Sequence, residues 1–526
     1  MPRFRFLLVM LIVSTLLVIG VVWQTAWPLG IPGEWTWDRL PLAEPWFLAV
    51  IPSTIAAIIY MTFIWLAAPR LSQDRSLATG LRLCGLTLAG FAWLCVVQES
   101  APRFNQLSKA GYVLFFRGPS GYFSQARYDV TDLLQFVAKY NKLMAQGEVL
   151  HVGTHPPGLI VLFRGLIRLC EDSRSFSQTL VQTQPPSVVA AFNDIAGSAS
   201  SRETLRLADR AALWLAFLLV QFAAAVTVIP LYGLLRRSHP PRVAWLSASF
   251  WPAVPAVAIF LPKSDVLFAS LGIFLGWLWL NGFGTDRIEK SARSWVCCAA
   301  AGALFWMGLT LSLAMLPIAF LLAVATLWDL FAPALDRAEQ GKRIRKLAGG
   351  LIVAGITFFC LCLAVWWQFG LNLFETWHWN YLNHAAFYKS YSRTYVKWLV
   401  LNPLEFAISA GVPLVVLALA AMPGAVRLPR NPDRSLGWAL VTTWCILWLS
   451  GKNMGEAARL WTFLTPWLIF PAAATLGATA PEAEPREQVQ AQFRLWGIAL
   501  SCQFVANISL VLRVVGFPLP FPVPSG

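Results

Sequence analysis

Long runs of apolar residues constrain this chain more than any other feature of its sequence. Thirteen runs approach or exceed the ~18 residues that a helix needs to cross a bilayer. The runs are continuously apolar, which excludes a transmembrane barrel because its strands alternate apolar and polar residues. The sequence therefore predicts an all-α, polytopic transmembrane helical bundle of about thirteen spans: 6–27, 46–68, 80–98, 208–235, 242–260, 266–281, 294–312, 313–330, 347–367, 399–422, 435–450, 461–478 and 495–514.

The basic residues predict how this bundle is oriented. The net charge of +15 is compatible with nucleic-acid binding, but Lys and Arg are concentrated in short loops between apolar runs. That is the positive-inside pattern of a protein whose partner is the lipid bilayer, so no nucleic-acid partner is expected. Arg3 and Arg5 place the N-terminus in the cytoplasm, and thirteen crossings then place the C-terminus outside.

Three regions follow from this topology. Residues 1–98 are predicted to form three N-terminal transmembrane helices, and 99–207 an external loop domain with amphipathic juxtamembrane helices. Residues 208–526 are predicted to form a C-terminal transmembrane bundle with an external aromatic segment at 368–398. The predicted protein is thus a multi-pass membrane protein with two external segments.

The apolar stretch 157–170 decides the count of spans. If it crossed the membrane, every later basic loop would lie outside, against the positive-inside pattern. The stretch is short and carries Arg164 and Arg168. We therefore expect an interfacial or re-entrant helix here.

Two acids precede a helical pattern in the loop domain. Apolar residues recur at three- and four-residue steps across 130–144, which predicts a helix. Asp129 and Asp132 stand at its start. Either carboxylate could be a general base or bind a metal. Both could equally be structural, with Asp129 as the N-cap and Asp132 in the first turn.

Two histidines follow that helix. His151 and His155 are four residues apart, but Pro156 favours an extended backbone before it. Metal ligation and a polar loop without a catalytic role are both open. Pro156 and Pro157 are well placed to begin the next helix, since proline suits a first turn.

Two further sites place charges at the ends of predicted spans. Lys263 and Asp265 lie where a span begins, and charges at membrane depth are costly and usually functional. Glu456 and Arg459 are three apart and could pair on a helix or bind substrate. The remaining alternative for each pair is an ordinary interfacial or structural role.

Basic side chains recur along the predicted external face, where an anionic phosphate would find them. Arginine can bind such a group through two parallel hydrogen bonds. These residues are Arg117, Arg127, Lys263, Lys389, Arg393, Lys397, Lys452 and Arg459. Together with the acids they favour an anionic substrate that is approached from the membrane.

Taken together, these motifs resemble the polytopic membrane glycosyltransferases of the C superfamily (GT-C), such as the protein O-mannosyltransferases and the lipid A aminoarabinose transferases. The resemblance is carried by Asp132 with the helix to residue 144, Gly147, His155-Pro156-Pro157-Gly158, Pro262 to Asp265, and Glu456 to Pro466. The chain departs from the family in two ways. Its large loop follows the third span, and Ser124-Gln125 stands where an Asp-Glu pair is usual. Residues 1–98 have no counterpart.

The resemblance implies inverting transfer of a sugar from a polyprenyl-phosphate donor to an unknown acceptor on the external face. Asp132 would be the catalytic base, with Asp129 as the other candidate. External cations, or a divalent metal held by Asp132, His155 and Asp265, would stabilise the departing phosphate. No other cofactor is implied. The candidate substrate-binding residues are His151, His155, Lys263, Asp265, Trp377, His378, Glu456 and Arg459.

The main alternative is a transporter or flippase of a lipid-linked or small anionic substrate. Such a protein typically shows paired halves, broken helices or charges near the bilayer midplane. The sequence shows no internal repeat, and its polar residues are concentrated at the ends of the predicted spans. The pattern therefore favours the glycosyltransferase.

Overall fold

The computed structural model describes residues 2–42, 45–71, 76–148, 151–198, 204–283, 292–331, 337–425, 432–479 and 484–517. Over these ranges nearly all regular structure is helical, and the sheet is a single two-stranded hairpin. The predicted all-α class is therefore confirmed.

Three long helices and the hairpin form the N-terminal region. They are α1 (Pro2–Trp23), β1 (Leu29–Ile31), β2 (Trp35–Trp37), α2 (Trp46–Ala67) and α3 (Ser76–Glu99), with a 3-10 turn at Ala68–Arg70. The strands pair antiparallel, with Gly30 opposite Thr36. Arg39 forms an isolated bridge with Val514, so the hairpin lies against the far end of the chain.

The loop domain contributes a run of shorter helices between α3 and the next long helix. They are α4 (Lys109–Phe115), α5 (Tyr122–Ser124), α6 (Leu133–Ala138), α7 (Tyr140–Met144), α8 (Gly158–Asp172), α9 (Arg174–Gln182) and α10 (Pro186–Ser198), with a π-helical turn at Gln125–Asp129. Their apolar side chains form a second hydrophobic core, which is completed by residues of the long helix that follows.

The remaining helices form the C-terminal bundle. They are α11 (Leu207–Val226), α12 (Val228–Leu235), α13 (Pro241–Ala248), α14 (Pro255–Phe260), α15 (Ser264–Phe283), α16 (Ala292–Leu311), α17 (Met315–Leu330), α18 (Arg337–Phe369), α19 (Leu373–Ser390), α20 (Tyr395–Ala410), α21 (Val412–Ala425), α22 (Pro432–Leu449), α23 (Ala457–Leu460), α24 (Thr465–Gly477) and α25 (Pro485–Arg513). Two 3-10 turns, Trp251–Ala253 and Thr462–Leu464, join α13 to α14 and α23 to α24.

Ten of the described helices, taking joined pairs as one, are long and apolar enough to cross a membrane. Each of the other three predicted spans also falls on helix. Two of them, α17 and the apolar part of α22, are shorter helices, and the third is the pair α20–α21, which bends by 109°. The count is thus ten, or eleven with the bent pair, rather than thirteen. The orientation of the termini stays a prediction.

Helix α8 occupies the stretch that decided the sequence-based count. It is 15 residues long and strongly amphipathic, and its apolar side includes the buried residues Ile160, Phe163 and Ile167. That face packs on α11 in the second core. A helix of this length and pattern suits a position along a membrane surface, which stays a prediction.

The helix predicted over 130–144 is broken into α6 and α7 at Lys139. The break lets Tyr140 turn inward, where its hydroxyl lies 2.9 Å from the carbonyl oxygen of Val152 and 2.7 Å from that of His155. Tertiary contacts with the histidine loop therefore override the local helical periodicity.

A buried carboxylate fastens the loop domain to α11. Asp209, whose side chain is inaccessible, accepts from Arg127 at 2.9 Å and from Arg206 at 3.0 Å. Arg206 also pairs with Glu171 at the end of α8. This network fixes the loop domain on the bundle.

The N-terminal hairpin is fastened to the start of α20 by Glu34. Its carboxylate accepts from the backbone N–H of Thr394 at 2.8 Å and the hydroxyl of Thr394 at 2.6 Å. It also accepts from Trp398 Nε1 at 2.8 Å and Lys397 Nζ at 3.3 Å. These bonds, those from Thr394 foremost, lower the pKa of Glu34 to about 2. The loop that had no counterpart in the family resemblance is thus an anchored element.

Glu34→Gln is expected to destabilise the protein at pH 7 by about 2 kcal/mol, because hydrogen bonds to a charged group contribute more than neutral ones. The folded-state pKa is lowered, so this stabilisation is present above the ordinary pKa of 4.5 and disappears as the pH falls towards 2. Thermal unfolding of both proteins between pH 7 and pH 3 measures the difference. A gap in Tm as large at pH 3 as at pH 7 contradicts this account. Glu487→Gln, at an exposed acid of α25, is the matched control.

Candidate functional site

A short loop between α14 and α15 presents a buried lysine. The loop contains a cis peptide bond between Leu261 and Pro262, followed by Lys263. Lys263 is only 5% exposed. Its Nζ lies over the ring of Phe517, 5.8 Å from the ring centre. The side chain makes no hydrogen bond or ion pair with any residue that the structure describes, which leaves a buried cation available to an anion.

Two acids and an arginine lie beside this lysine. Arg459 Nη2 is 2.9 Å from Glu456 Oε1, and its Nε is 3.9 Å from Asp265 Oδ2. All three side chains are at most 16% exposed. The distance to Asp265 is an ion pair but is too long for a hydrogen bond. Asp265 thus accepts no hydrogen bond from any described residue.

The turn that carries Glu456 and Arg459 is held by the helices around it. Gly455 has φ +86°, a conformation that favours glycine. Its N–H donates to Asn402 Oδ1 of α20 at 3.3 Å. The preceding N–H, of Met454, donates to the Tyr388 hydroxyl of α19 at 2.8 Å. These contacts hold the backbone just before α23, the helix on which Arg459 faces Asp265.

The histidine loop closes over the cluster from the loop domain. Asn380 of α19 donates to the carbonyl oxygens of Gly153 (2.8 Å) and His155 (3.1 Å). Asn383, one turn further, donates to Gly153 at 3.0 Å. His155 Nδ1 lies 3.2 Å from the carbonyl oxygen of His151. The two long segments of the sequence outside the predicted spans thus pack on each other.

Glycine is required where this loop enters α8. A Cβ on Gly158 would lie 2.3 Å from the carbonyl oxygen of Thr310 at the end of α16. This oxygen belongs to the backbone, so it cannot shift without moving the helix. The Pro-Pro-Gly sequence thereby brings α8 against the bundle, with His155 immediately before it.

Electrostatic interactions show which charged groups face each other. Burial foremost, and then the charge of Arg459, lower the pKa of Lys263 to about 7, while Asp265 and Glu456 oppose the shift. Burial also lowers the pKa of His155 to about 4, with Asp265 opposing and Lys263 adding to the effect. The pKa of His151 is lowered by burial and then by the charges of Lys263 and Arg459. Both histidines are therefore neutral at pH 7.

The structure brings together six of the predicted site residues and leaves four outside. The six are His151, His155, Lys263, Asp265, Glu456 and Arg459, which interact electrostatically with one another. The four are Asp129, Asp132, Trp377 and His378. Three chain segments far apart in sequence thus form one charged cluster, which we call the charged site.

The two predicted catalytic acids are exposed and engaged elsewhere. Asp129 pairs with Arg117 through both oxygens, at 2.8 and 3.2 Å. Asp132 is the N-cap of α6, and its Oδ1 accepts from the backbone N–H groups of Leu134 and Gln135. The catalytic role of either acid stays a prediction that no contact here supports.

The two aromatic-segment residues have separate roles. Trp377 stacks on Phe358 of α18, with ring centres 5.9 Å apart, and its Nε1 donates to the carbonyl oxygen of Leu309 at 2.9 Å. His378 is exposed, with its ring near Trp379. Sugar binding by these two residues stays a prediction.

No metal-binding group of three or more His, Cys, Asp or Glu side chains occurs among the described residues. The predicted ligand set of Asp132, His155 and Asp265 is therefore not assembled as one site there. The cations near Asp265 are instead those of the protein itself, Lys263 and Arg459.

Sequence reasoning missed the residues that hold the charged site in place. They are Asn380, Asn383 and Asn402, together with Glu34 of the hairpin. A signal existed for Asn380 and Asn383: they follow Thr376 at helical spacing in an otherwise aromatic segment. That polar stripe is what a helix needs to bind a loop backbone.

The cap at Asp132 makes a prediction about stability. Asp132→Ala is expected to destabilise the protein by about 1 kcal/mol, whereas Asp132→Asn should keep stability close to wild type because asparagine is an equally good N-cap. Chemical or thermal unfolding of the three proteins measures this. Equal stability of the Ala and Asn variants would show that the cap bonds do not stabilise α6.

Comparisons with known proteins give only distant structural likenesses. No family model matches the chain, and no curated protein matches it. A crystal structure of the oligosaccharyltransferase of Archaeoglobus fulgidus, in complex with Zn and sulfate, matches with a TM-score of 0.44 and 12% identity. The match covers 84% of this chain and 54% of that chain, so this chain spans about half the length of that protein. A likeness at this level assigns neither a family nor an activity.

Proposed function

We propose that this protein is a membrane glycosyltransferase of the GT-C kind that takes a sugar from a polyprenyl-phosphate donor. The observation that carries the proposal is the charged site. Among the described residues, its buried lysine has no ion-pair partner, and its arginine lies beside a carboxylate that accepts no hydrogen bond. The site lies where α15 and α23–α24, two candidate spans, begin. A lipid-linked phosphate would reach such a position from within the membrane.

Among the described residues, one cation of the charged site lacks an ion-pair partner, which a phosphate would supply. Arg459 is already matched by Glu456 at 2.9 Å, and the more distant Asp265 faces both cations. Lys263 is left without an ion-pair partner among the described residues. An incoming phosphate would complete its pairing and would stabilise the protonated lysine, since opposite charges favour the charged form. The same two cations would then stabilise the phosphate as it leaves.

Asp265 is the acid best placed to be the general base. Both oxygens of Asp129 and one oxygen of Asp132 accept hydrogen bonds, whereas Asp265 has no oxygen that accepts a hydrogen bond from a described residue. In the proposed reaction the acceptor hydroxyl donates a hydrogen bond to Asp265. The oxygen of that hydroxyl attacks the anomeric carbon on the side opposite the phosphate. The bond from the anomeric carbon to the phosphate oxygen breaks, its electron pair leaves with the lipid phosphate, and the proton moves to Asp265. The configuration at the sugar inverts.

The direct experiment offers the purified protein, in lipid nanodiscs, a panel of radiolabelled polyprenyl-phosphate hexoses. We expect label to leave the lipid with at least one donor, to an added membrane extract or slowly to water. In parallel, binding of citronellyl phosphate, a short isoprenoid monophosphate, is measured by calorimetry. Failure to bind this probe and to release any label would refute the proposal.

Lys263 makes phosphate binding depend on pH. Its pKa is about 7 in the free protein, and bound phosphate raises it. Affinity for citronellyl phosphate should therefore fall as the pH rises above 7, by up to about tenfold per unit until the pKa of the complex is reached. Lys263→Arg, which keeps its charge, should flatten this alkaline fall, and Lys263→Met should bind weakly at every pH. An unchanged alkaline fall in Lys263→Arg would assign the titration to another group.

A transporter or flippase is the second candidate, and the 109° bend between α20 and α21 favours it, because broken helices are typical of such proteins. The charged groups, however, lie at the ends of candidate spans. Reconstituted vesicles decide the matter: movement of a fluorescent polyprenyl-phosphate sugar between leaflets, with the sugar still attached to the lipid, would favour the transporter.

A further inference from the structure

One buried acid connects the N-terminal hairpin to the charged site. Glu405, on α20, accepts from Trp37 Nε1 of β2 at 3.1 Å through one oxygen. Its other oxygen accepts from the backbone N–H of Ala458 at 3.4 Å. Both oxygens are thus engaged, one by the hairpin and one by the turn that carries the site.

Ala458 lies between the two residues that this turn supplies to the charged site. Its N–H belongs to the first turn of α23, between Glu456 and Arg459. One turn earlier on α20, Asn402 accepts from the N–H of Gly455. The same face of α20 therefore accepts hydrogen bonds from the backbone on both sides of Glu456.

The hairpin that supplies Trp37 is itself fixed on two sides. Glu34 binds Thr394, Lys397 and Trp398 around the first turn of α20. The ring of Trp37 packs against Phe260, 5.5 Å between ring centres, three residues before Lys263. The hairpin thus contacts Phe260, which precedes Lys263, and Glu405, which binds the turn that carries Arg459.

We propose that Glu405 is a positioning residue that holds Arg459 for the phosphate, and that the N-terminal hairpin acts on the site through it. The inference rests on the proposed function, in which Arg459 binds the phosphate of the donor. Glu405 acts through the backbone of Ala458 and the orientation of α23, while the Trp37 bond fixes the rotamer of Glu405.

The positioning role predicts that removal of Glu405 changes the Kd for phosphate in the direction opposite to that expected from its charge. When ionised, Glu405 adds a negative charge near the phosphate site, so its removal should tighten phosphate binding if Coulomb repulsion were its main effect. If Glu405 positions Arg459, its removal weakens binding, because a small misplacement of a binding group is costly. The direction of the change in Kd therefore distinguishes the two roles.

The test measures Kd for citronellyl phosphate on full-length protein in nanodiscs. We expect Glu405→Leu to raise Kd about tenfold and Trp37→Phe, which keeps the ring and removes the donor, to raise it about threefold. Because both act through one chain of contacts, the double variant should bind like Glu405→Leu alone. Trp279→Phe is the matched control, since it also removes an indole hydrogen bond, to Thr326, ~20 Å along α15 from Asp265.

Several outcomes would overturn the proposal. An unchanged or lower Kd in Glu405→Leu would do so, and so would full additivity of the two variants. If Glu405→Leu does not fold, Trp37→Phe decides alone: a Kd equal to that of Trp279→Phe refutes the connection. If the wild-type protein binds the probe, each of these outcomes refutes only the positioning role and leaves the proposed function intact. If the wild-type protein does not bind the probe, the proposed function itself is refuted.

Discussion

Asp265→Asn is expected to lower the rate of sugar transfer by about a hundredfold to ten-thousandfold while leaving the protein folded. A positioned general base contributes ~10²–10⁴ to a rate, and asparagine cannot accept the proton from the acceptor hydroxyl. The charge lost lies 3.9 Å from Arg459, which keeps its closer partner Glu456, so the fold should tolerate the change. Citronellyl phosphate should bind at least as tightly as in wild type, because one repelling carboxylate is gone.

The paired variant Asp132→Asn decides between the two acids proposed as base. The family resemblance implies that Asp132→Asn abolishes transfer, whereas its exposed position at a helix cap leads us to expect transfer to survive. Single-turnover release of labelled sugar, measured on both variants under one condition, compares them. A near wild-type rate in Asp265→Asn, with loss in Asp132→Asn, would transfer the role of base to Asp132. Asp172→Asn, at an exposed acid on α8, is the control that should change neither measurement.

Arg459→Gln is expected to weaken binding of citronellyl phosphate by about a hundredfold or more. The variant removes a cation from the phosphate site and leaves Glu456 and Asp265 without their shared partner, which adds repulsion. Arg459→Lys should show an intermediate loss, because an ammonium group lacks the planar fork that can bind a carboxylate and a phosphate at once. Calorimetric titration at pH 7 measures both.

The loss in Arg459→Gln has a structural component that a second variant separates. Leaving a buried acid unpaired typically costs about 3 to 5 kcal/mol of stability. Arg459→Gln with Glu456→Gln removes most of that cost and should recover the Tm. Phosphate affinity should stay low in the double variant. If affinity recovers together with the Tm, Arg459 is structural and does not bind the phosphate.

Several site residues were found from the sequence because their chemistry is unusual for its surroundings. Lys263 and Asp265 are charges at the start of an apolar run, and Glu456 and Arg459 open another. His155 was marked by the two prolines that follow it. These local patterns did not indicate which of the predicted acids belong to the charged site. Asp132 and Asp265 are both carboxylates near the start of a helix, and only their neighbours differ.

The contacts that hold the charged site in place were still harder to predict from local sequence patterns. Glu34 and Thr394 are 360 positions apart, and Trp37 and Glu405 are 368 apart. No periodicity or motif links residues at such separations. The hairpin strands are three residues each, too short for an alternating pattern. A loop that the resemblance left without a role therefore acquired one only through its contacts.

The sequence by itself determined the class of protein: an all-α, polytopic bundle whose helices lie where the apolar runs lie. This follows because a span is a local property, decided by the transfer of some twenty consecutive side chains from water to lipid. The tertiary structure alone decided that His155, Lys263, Asp265 and Arg459 meet while Asp132 caps a helix at the surface. It did so because the position of a charge in space depends on how whole helices pack. The energy of that charge depends in turn on the partners that the packing supplies.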